Sequence, residues 1–256
     1  MKSVLNYFGR MSKSHVLPYL RKDIEIYVEP FSGSFNTAFN LSEDGFKGKL
    51  VFNDFDEKIY NFWVCVRDNP IKLISNIDNY YMYLIKNFTN MRKTLMDIDT
   101  NNFGTYEMAA YEYMMHLLTY YNGYSKMING AIYDTKSFIK QSRILQKCEL
   151  HNYDYADTIQ MYDSENTFFL LDPPFKIDKV TKYYRNVENF DHIRLKNVIQ
   201  EIKGDWVLRY NINEESRNNY CQYNRFKAIP IKAYSKDITT EYFTNMCNIP
   251  EVSYLQ

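Results

Sequence analysis

The run Thr167-Phe168-Phe169-Leu170-Leu171-Asp172-Pro173-Pro174-Phe175 constrains this chain more than any other stretch. Its first part is apolar, rich in β-forming side chains, and reads as a buried strand. The two prolines end that strand, because neither can donate to a ladder and each fixes its own φ. Asp172 and Phe175 therefore come at the carboxyl end of a central strand, held stiffly. In open α/β sheets ligands bind at that edge. A plainer reading also fits the run alone: a strand, a proline turn and an exposed Asp as turn former. Residues elsewhere in the chain choose between the two.

Ile24-Glu25-Ile26-Tyr27-Val28 alternates and reads as a short strand leading into Glu29-Pro30-Phe31-Ser32-Gly33-Ser34-Phe35. A strand, a Gly/Ser loop and then a helix is where such a fold brings its backbone to a nucleotide-like ligand. A second strand, Lys49 to Asn53, ends at Asp54. An acidic side chain about 20 residues after the glycine loop is placed to accept from ribose hydroxyls. One glycine between serines is a weak motif that gains weight from Asp54. No phosphate-binding glycine cluster or P-loop lysine accompanies it, which points to a nucleoside and argues against a nucleoside triphosphate.

After Asp54 the pattern turns helical. Ile59, Phe62, Trp63 and Val66 share one face, and Pro70 stops that helix. Ile74, Ile77, Tyr81, Leu84, Ile85 and Phe88 make a second stripe, and Ala110, Met114, Leu117, Leu118 and Tyr121 a third. These stripes are core rather than a cofactor box. Residues 61–149 thus read as a helical insertion in a strand-bearing domain made of 1–60 and 150–256. The insertion ends in two Asn-Gly turns, Asn122-Gly123 and Asn129-Gly130. Lys126, Lys136, Lys140, Arg143 and Lys147 then share a window with a single acid, Asp134. That window is a solvated helix face or a phosphate-contacting patch. Beyond the central strand, Leu195, Val198, Ile199 and Ile202 mark a helix with Asp191 as N-cap. Trp206-Val207-Leu208-Arg209 and Ala228-Ile229-Pro230-Ile231 read as further strands.

The formal charge is zero, 31 Lys+Arg against 31 Asp+Glu. That excludes a uniformly basic nucleic-acid binder but leaves room for a local patch. Cys65, Cys148, Cys221 and Cys247 are far apart without a C-x-x-C pair, so no zinc site or disulfide framework is expected. The four histidines show no metal spacing. No apolar run approaches the roughly 20 residues of a membrane span, and the amino terminus lacks the apolar core of a signal peptide. A soluble protein in a reducing compartment is the expectation.

The order of these pieces resembles the Dam-like, D12 class family of S-adenosylmethionine-dependent DNA adenine-N6 methyltransferases. Tyr7-Phe8-Gly9-Arg10 with Lys13 is similar to the family's amino-terminal cofactor segment. Glu29 to Ser34 resembles its glycine loop, and Asn53-Asp54 its ribose-binding acid. Asn122-Gly123 resembles the turn in its target-recognition region, and Asp154-Tyr155-Ala156-Asp157 the segment before its catalytic strand. Asp172-Pro173-Pro174-Phe175 resembles its D-P-P-Y signature, and Tyr184 to His192 the Y…F-x-H stretch behind it. Phe175 stands where the family usually has tyrosine, and Phe35 where its loop usually has a second glycine.

The resemblance implies an α/β fold: a Rossmann-like mixed seven-stranded sheet flanked by helices, with a mainly helical target-recognition insertion. It implies S-adenosylmethionine as cofactor, with Tyr7, Arg10 or Lys13, Phe31, Gly33, Ser34, Asp54, Phe55, Tyr155 and Asp172 as its binding residues. It implies Asp172, Pro173, Pro174 and Phe175 as the catalytic tetrad. Double-stranded DNA is the implied partner, contacted through Asn122, Lys126, Lys136, Lys140, Arg143 and Tyr184. No metal and no membrane are implied; a cytoplasmic setting, bacterial or phage-encoded, and a cognate restriction enzyme are. An exocyclic amine is a poor nucleophile because its lone pair is delocalised into the ring. The Asp172 carboxylate and Pro173 carbonyl would accept its hydrogens, and Phe175 would stack on the extruded base. Two alternatives stay open: cytosine-N4 methylation, since the same geometry suits any exocyclic amine, and a non-catalytic DNA-binding relative.

Overall fold

The computed structural model describes residues 1–5, 19–119, 133–175, 190–211, 214–233 and 236–246. The strands are β1 (Ile26–Glu29), β2 (Lys49–Asn53), β3 (Glu149–His151), β4 (Thr167–Leu171), β5 (Asp205–Asn211), β6 (Asn224–Ala233) and β7 (Lys236–Thr244). They form one seven-stranded mixed sheet in the order β3-β2-β1-β4-β5-β7-β6. The first five strands in that order run parallel, and β7 is antiparallel to both β5 and β6. The order reverses between β1 and β4, so the loops after these two strands open onto one crevice at the carboxyl edge.

The expected central strand is β4, every residue of which is buried. Such a strand lies between two covered faces, which is why it reads as a continuous apolar run and not as an alternation. Pro173 and Pro174 then stop it, as their missing N–H groups require.

The helices are α1 (Asn36–Glu43), α2 (Glu57–Asp68), α3 (Pro70–Leu84), α4 (Met91–Met96), α5 (Thr105–Thr119), α6 (Thr135–Leu145), α7 (Tyr155–Tyr162), α8 (His192–Gln200) and α9 (Glu214–Asn219). Several begin on side-chain caps. Asp56 accepts from Lys58 N, Asn69 from Lys72 N, Asp134 from Lys136 N and Asp154 from Ala156 N. Asp191 accepts from both Ile193 N and Arg194 N, the N-cap role expected of it. Pro70 does not simply end α2. It sits in the first turn of α3, where its missing N–H costs nothing. A 3-10 turn over Ile85–Asn90 interrupts the second apolar stripe after Leu84.

Two apolar clusters cover the two faces of the sheet. One contains Val28, Val51, Tyr155, Phe169, Leu171, Leu195 and Trp206 beneath α7 and α8. The other runs from Tyr27, Phe39, Phe52 and Phe168 without a break into Phe62, Trp63, Leu117 and Phe138 of the helical stretch. Each large side chain so buried is worth about 1.5–3 kcal/mol. The division drawn at 60/61 falls inside α2, and the helices of 61–149 share their core with the sheet. Among the described residues no helix is long and apolar enough to cross a membrane.

Candidate active site

The glycine loop is tied to the sheet edge from both sides. Ser32 N donates to Asn53 O at 2.9 Å, and Ser32 Oγ donates to Glu29 O at 2.6 Å. Asn53, fully buried, donates through Nδ2 to Pro30 O (3.0 Å) and Tyr153 O (3.1 Å) and accepts from Tyr153 N at 2.9 Å. One amide thus stitches together the loops that follow β1, β2 and β3. Gly33 has a φ of 46°, and its N–H donates to Asp54 Oδ2 at 2.8 Å. Its carbonyl accepts from Trp63 Nε1 at 2.8 Å. Asp54 Oδ1 accepts from Asp56 N at 2.9 Å. Burial pushes the Asp54 carboxyl up to about 7, against the pull of those two N–H groups.

Phe35 occupies the position where the loop would have a second glycine, and it keeps the backbone of one: its φ is 49°. Its side chain is turned inward and fully buried, edge-on to Phe39 and Phe52. As N-cap of α1 it has no side-chain oxygen to offer. Glu29 supplies the missing acceptor: its Oε1 takes Ala38 N at 3.0 Å and the Tyr27 hydroxyl at 2.9 Å. Burial pushes the Glu29 carboxyl up to about 8, the charge of nearby Asp172 raising it further while the Tyr27 and Ala38 donors pull it down.

Aromatic rings flank this edge. Phe31 lies 5.1 Å from Tyr155 and 5.9 Å from Phe190 between ring centroids. Arg194 covers Tyr155 at 5.1 Å and holds Asp154, the cap of α7, by two bonds of 2.9 and 2.8 Å. Phe55, beside Asp54, is 63% exposed. His192 shares a hydrogen bond through Nδ1 with the Tyr210 hydroxyl.

Asp172 leaves β4 next to this loop. Leu171 is in register with Leu208, so Arg209 is the next neighbour of Asp172 across β4 and β5. Arg209 Nε donates to Asp172 Oδ1 at 2.8 Å, and Nη2 donates to Oδ2. The Asp172 side chain is 23% exposed and that of Arg209 only 3%. Burial raises the Asp172 carboxyl above its usual range, and Arg209 opposes that by charge and by hydrogen bonding. The same guanidinium lies 5.6 Å from the Phe175 ring, which is itself buried and edge-on to Tyr210.

The structure therefore brings Phe31, Gly33, Ser34, Asp54, Phe55, Tyr155, Asp172, Pro173, Pro174 and Phe175 to one edge of the sheet. Tyr7, Arg10, Lys13, Asn122, Lys126 and Tyr184 lie outside the described residues. Lys136, Lys140 and Arg143 are exposed on α6. That helix runs down towards the amino end of β3, and Lys140 is paired with Glu43 at the end of α1. Lys140 and Arg143 are thus carried away from the edge that holds Asp172, while Lys136, in the first turn, is nearer to it. A cavity of about 650 Å³ lies among α3, α4 and α5, lined by Tyr80, Tyr83 and Phe103, and is separate from that edge. No group of metal-ligating side chains occurs among the described residues.

Arg209 was legible only as a strand residue, although a cation ending the apolar run Trp206-Val207-Leu208 was a signal. In the sequence Glu29 shows only as the first residue of the loop motif, with no role of its own.

No curated protein matches the chain in sequence. The family model for the D12 class N6 adenine-specific DNA methyltransferase matches residues 12–236, from ahead of β1 into β7. That match spans the glycine loop, Asp54, the Asp172 tetrad and Arg209, and the chain belongs to the D12 class N6 adenine-specific DNA methyltransferase family and is a DNA adenine-N6 methyltransferase.

Proposed function

We propose that this enzyme takes its methyl group from S-adenosylmethionine and places it on the exocyclic N6 of an adenine flipped out of duplex DNA. The reading is carried by one observation: β1 and β4 are parallel neighbours, so the Gly33 loop and Asp172 share the crevice where the strand order reverses. The residues there fit the cofactor. Gly33 adopts a left-handed backbone without strain, and a buried carboxylate, Asp54, stands at the end of the next strand. When bound, the cofactor supplies an electrophilic methyl carbon on a positively charged sulfur.

In this reading Asp54 accepts from the ribose hydroxyls, and Phe31, Phe55 and Tyr155 form the apolar walls. Gly33 and Ser34 present backbone, and Tyr7 with Arg10 or Lys13 completes the site. Asp172 and the Pro173 carbonyl accept the two amine hydrogens. That pushes the nitrogen towards a tetrahedral geometry and frees its lone pair for attack. Pro174 stiffens the turn, and Phe175 stacks on the base. Extrusion of that base costs a few kcal/mol. The helical stretch 61–149 carries target recognition. Asn122, Lys126, Lys136 and Tyr184 make its DNA contacts, with Lys140 and Arg143 left out on account of their position.

Incubation with methyl-labelled S-adenosylmethionine and duplex DNA, followed by digestion to nucleosides, tests this. Label in N6-methyldeoxyadenosine is the expected result; label in N4-methyldeoxycytidine, or none, overturns it. Asp172→Ala should abolish turnover while the cofactor Kd stays within about threefold, a shift under 1 kcal/mol. Retained turnover would refute the role given to Asp172.

A further inference from the structure

Arg209 sits almost fully buried in β5, a position that is costly without a purpose. The middle of β5 is otherwise apolar, with Trp206, Val207, Leu208 and Tyr210 all buried. A guanidinium placed among them is expensive unless it is paired and hydrogen-bonded. Its partners include two members of the catalytic tetrad. Nε and Nη2 grip the two oxygens of Asp172, and the guanidinium carbon lies 5.6 Å from the centroid of the Phe175 ring.

We infer that Arg209 is the positioning residue of the methyl transfer, clamping the Asp172 carboxylate in one orientation and bracing the Phe175 ring beside it. The inference rests on Asp172 being the acceptor for the substrate amine. An ionised carboxylate has about four lone-pair sites, and a side-on guanidinium occupies two of them. The remaining pair, on the part of Asp172 that is still exposed, is left for the amine. A clamped carboxylate cannot rotate away from that hydrogen bond. Lysine cannot reproduce this, because it is a point charge without a fork.

The clamp has an electrostatic consequence. The titratable groups facing Asp172 are Arg209 from β5, Tyr27 and Glu29 from β1, and Tyr242 from β7, which also bonds Arg209. Glu29 is a second acid whose negative form favours a protonated Asp172. A protonated Asp172 donates from one oxygen and is a poorer acceptor for the amine. Arg209 is the cation in this group, and it holds Asp172 in the accepting form.

The test compares wild type, Arg209→Met and Arg209→Lys in kcat from about pH 5.5 to about pH 9, with calorimetric binding of S-adenosylmethionine as the measure of an intact site. Arg209→Met should lower kcat about 100-fold at neutral pH and move its acid limb up by about one unit, so that the deficit narrows in alkali. Arg209→Lys should keep the acid limb in place and lose about tenfold in kcat with little change in KM. Cofactor Kd should stay within about threefold in both. A methionine variant with wild-type kcat, or one depressed equally at every pH, overturns the inference. If that variant does not fold, Arg209→Lys decides alone: unchanged kcat overturns the clamp, and a kcat loss at constant KM supports it. The underlying reading fails separately, by an inactive wild type or an active Asp172→Ala.

Discussion

Phe35 combines two effects of opposite sign in one residue, and replacing it with alanine and with glycine separates them. Its ring is fully buried, with centroids 5.4 Å from Phe39 and 5.3 Å from Phe52. Deleting such a ring costs about 3–5 kcal/mol. Its backbone, at a φ of 49°, lies where a residue with a Cβ is strained by about 1–2 kcal/mol. Alanine loses the ring and keeps the strain. Glycine loses the ring and sheds the strain, but its looser unfolded chain costs about 0.4–1 kcal/mol. Both variants should therefore be several kcal/mol less stable than wild type. Phe35→Gly should nonetheless be about 0.5–1 kcal/mol more stable than Phe35→Ala, the reverse of the order inside a helix. Urea unfolding followed by tryptophan fluorescence reads this, because Trp63 bonds the Gly33 carbonyl and packs 5.3 Å from Phe39. An alanine variant as stable as the glycine variant, or more so, would falsify the argument that this loop keeps a glycine's backbone under a phenylalanine's ring.

Glu29→Gln should flatten the pH dependence of stability. A carboxyl raised to about 8 in the folded chain ionises earlier when unfolded, so its contribution is complete at acid pH and is lost as pH rises towards 8. The slope reaches about 1.4 kcal/mol per pH unit within that window, and Gln keeps the acceptor for Ala38 N. Thermal melts between about pH 5 and pH 8 should show wild type falling relative to the variant; parallel curves would contradict a buried, protonatable Glu29. Asp54, raised to about 7, must be ionised to accept well from a ribose diol. S-adenosylmethionine should then bind up to about tenfold more tightly at pH 8 than at pH 6, and Asp54→Asn should bind weakly with no such rise. Equal calorimetric affinities at the two pH values would remove Asp54 from the proposed contact.

The legible part of the site was the part written in local chemistry. Pro173 and Pro174 announce the end of β4 because a missing N–H has the same effect in any context. Asp191 announces α8 because an N-cap needs only a side-chain oxygen and the N–H groups two and three residues on, here those of Ile193 and Arg194. β3 and β7 were not legible. β3 has only three residues, and β7 hides its burial behind threonines. Thr240 and Thr244 are fully buried, the latter bonding the Trp206 carbonyl at 2.7 Å, and no apolar run betrays such a strand.

By itself the sequence determined where β4 stops, where α8 starts, and the family motifs in their order, since each depends on residues a few places apart. Only the tertiary structure decided which distant groups meet. Glu29 completes the start of α1 in place of Phe35, Asn53 joins three loops, and α6 carries Lys140 to Glu43 and away from the proposed site. Arg209 meets Asp172 for the same reason: the pairing of β4 with β5 sets them side by side, 37 residues apart in the chain. Register across a parallel sheet is a long-range property, settled by which strands pair and which faces are buried, and no local pattern around Asp172 encodes its partner.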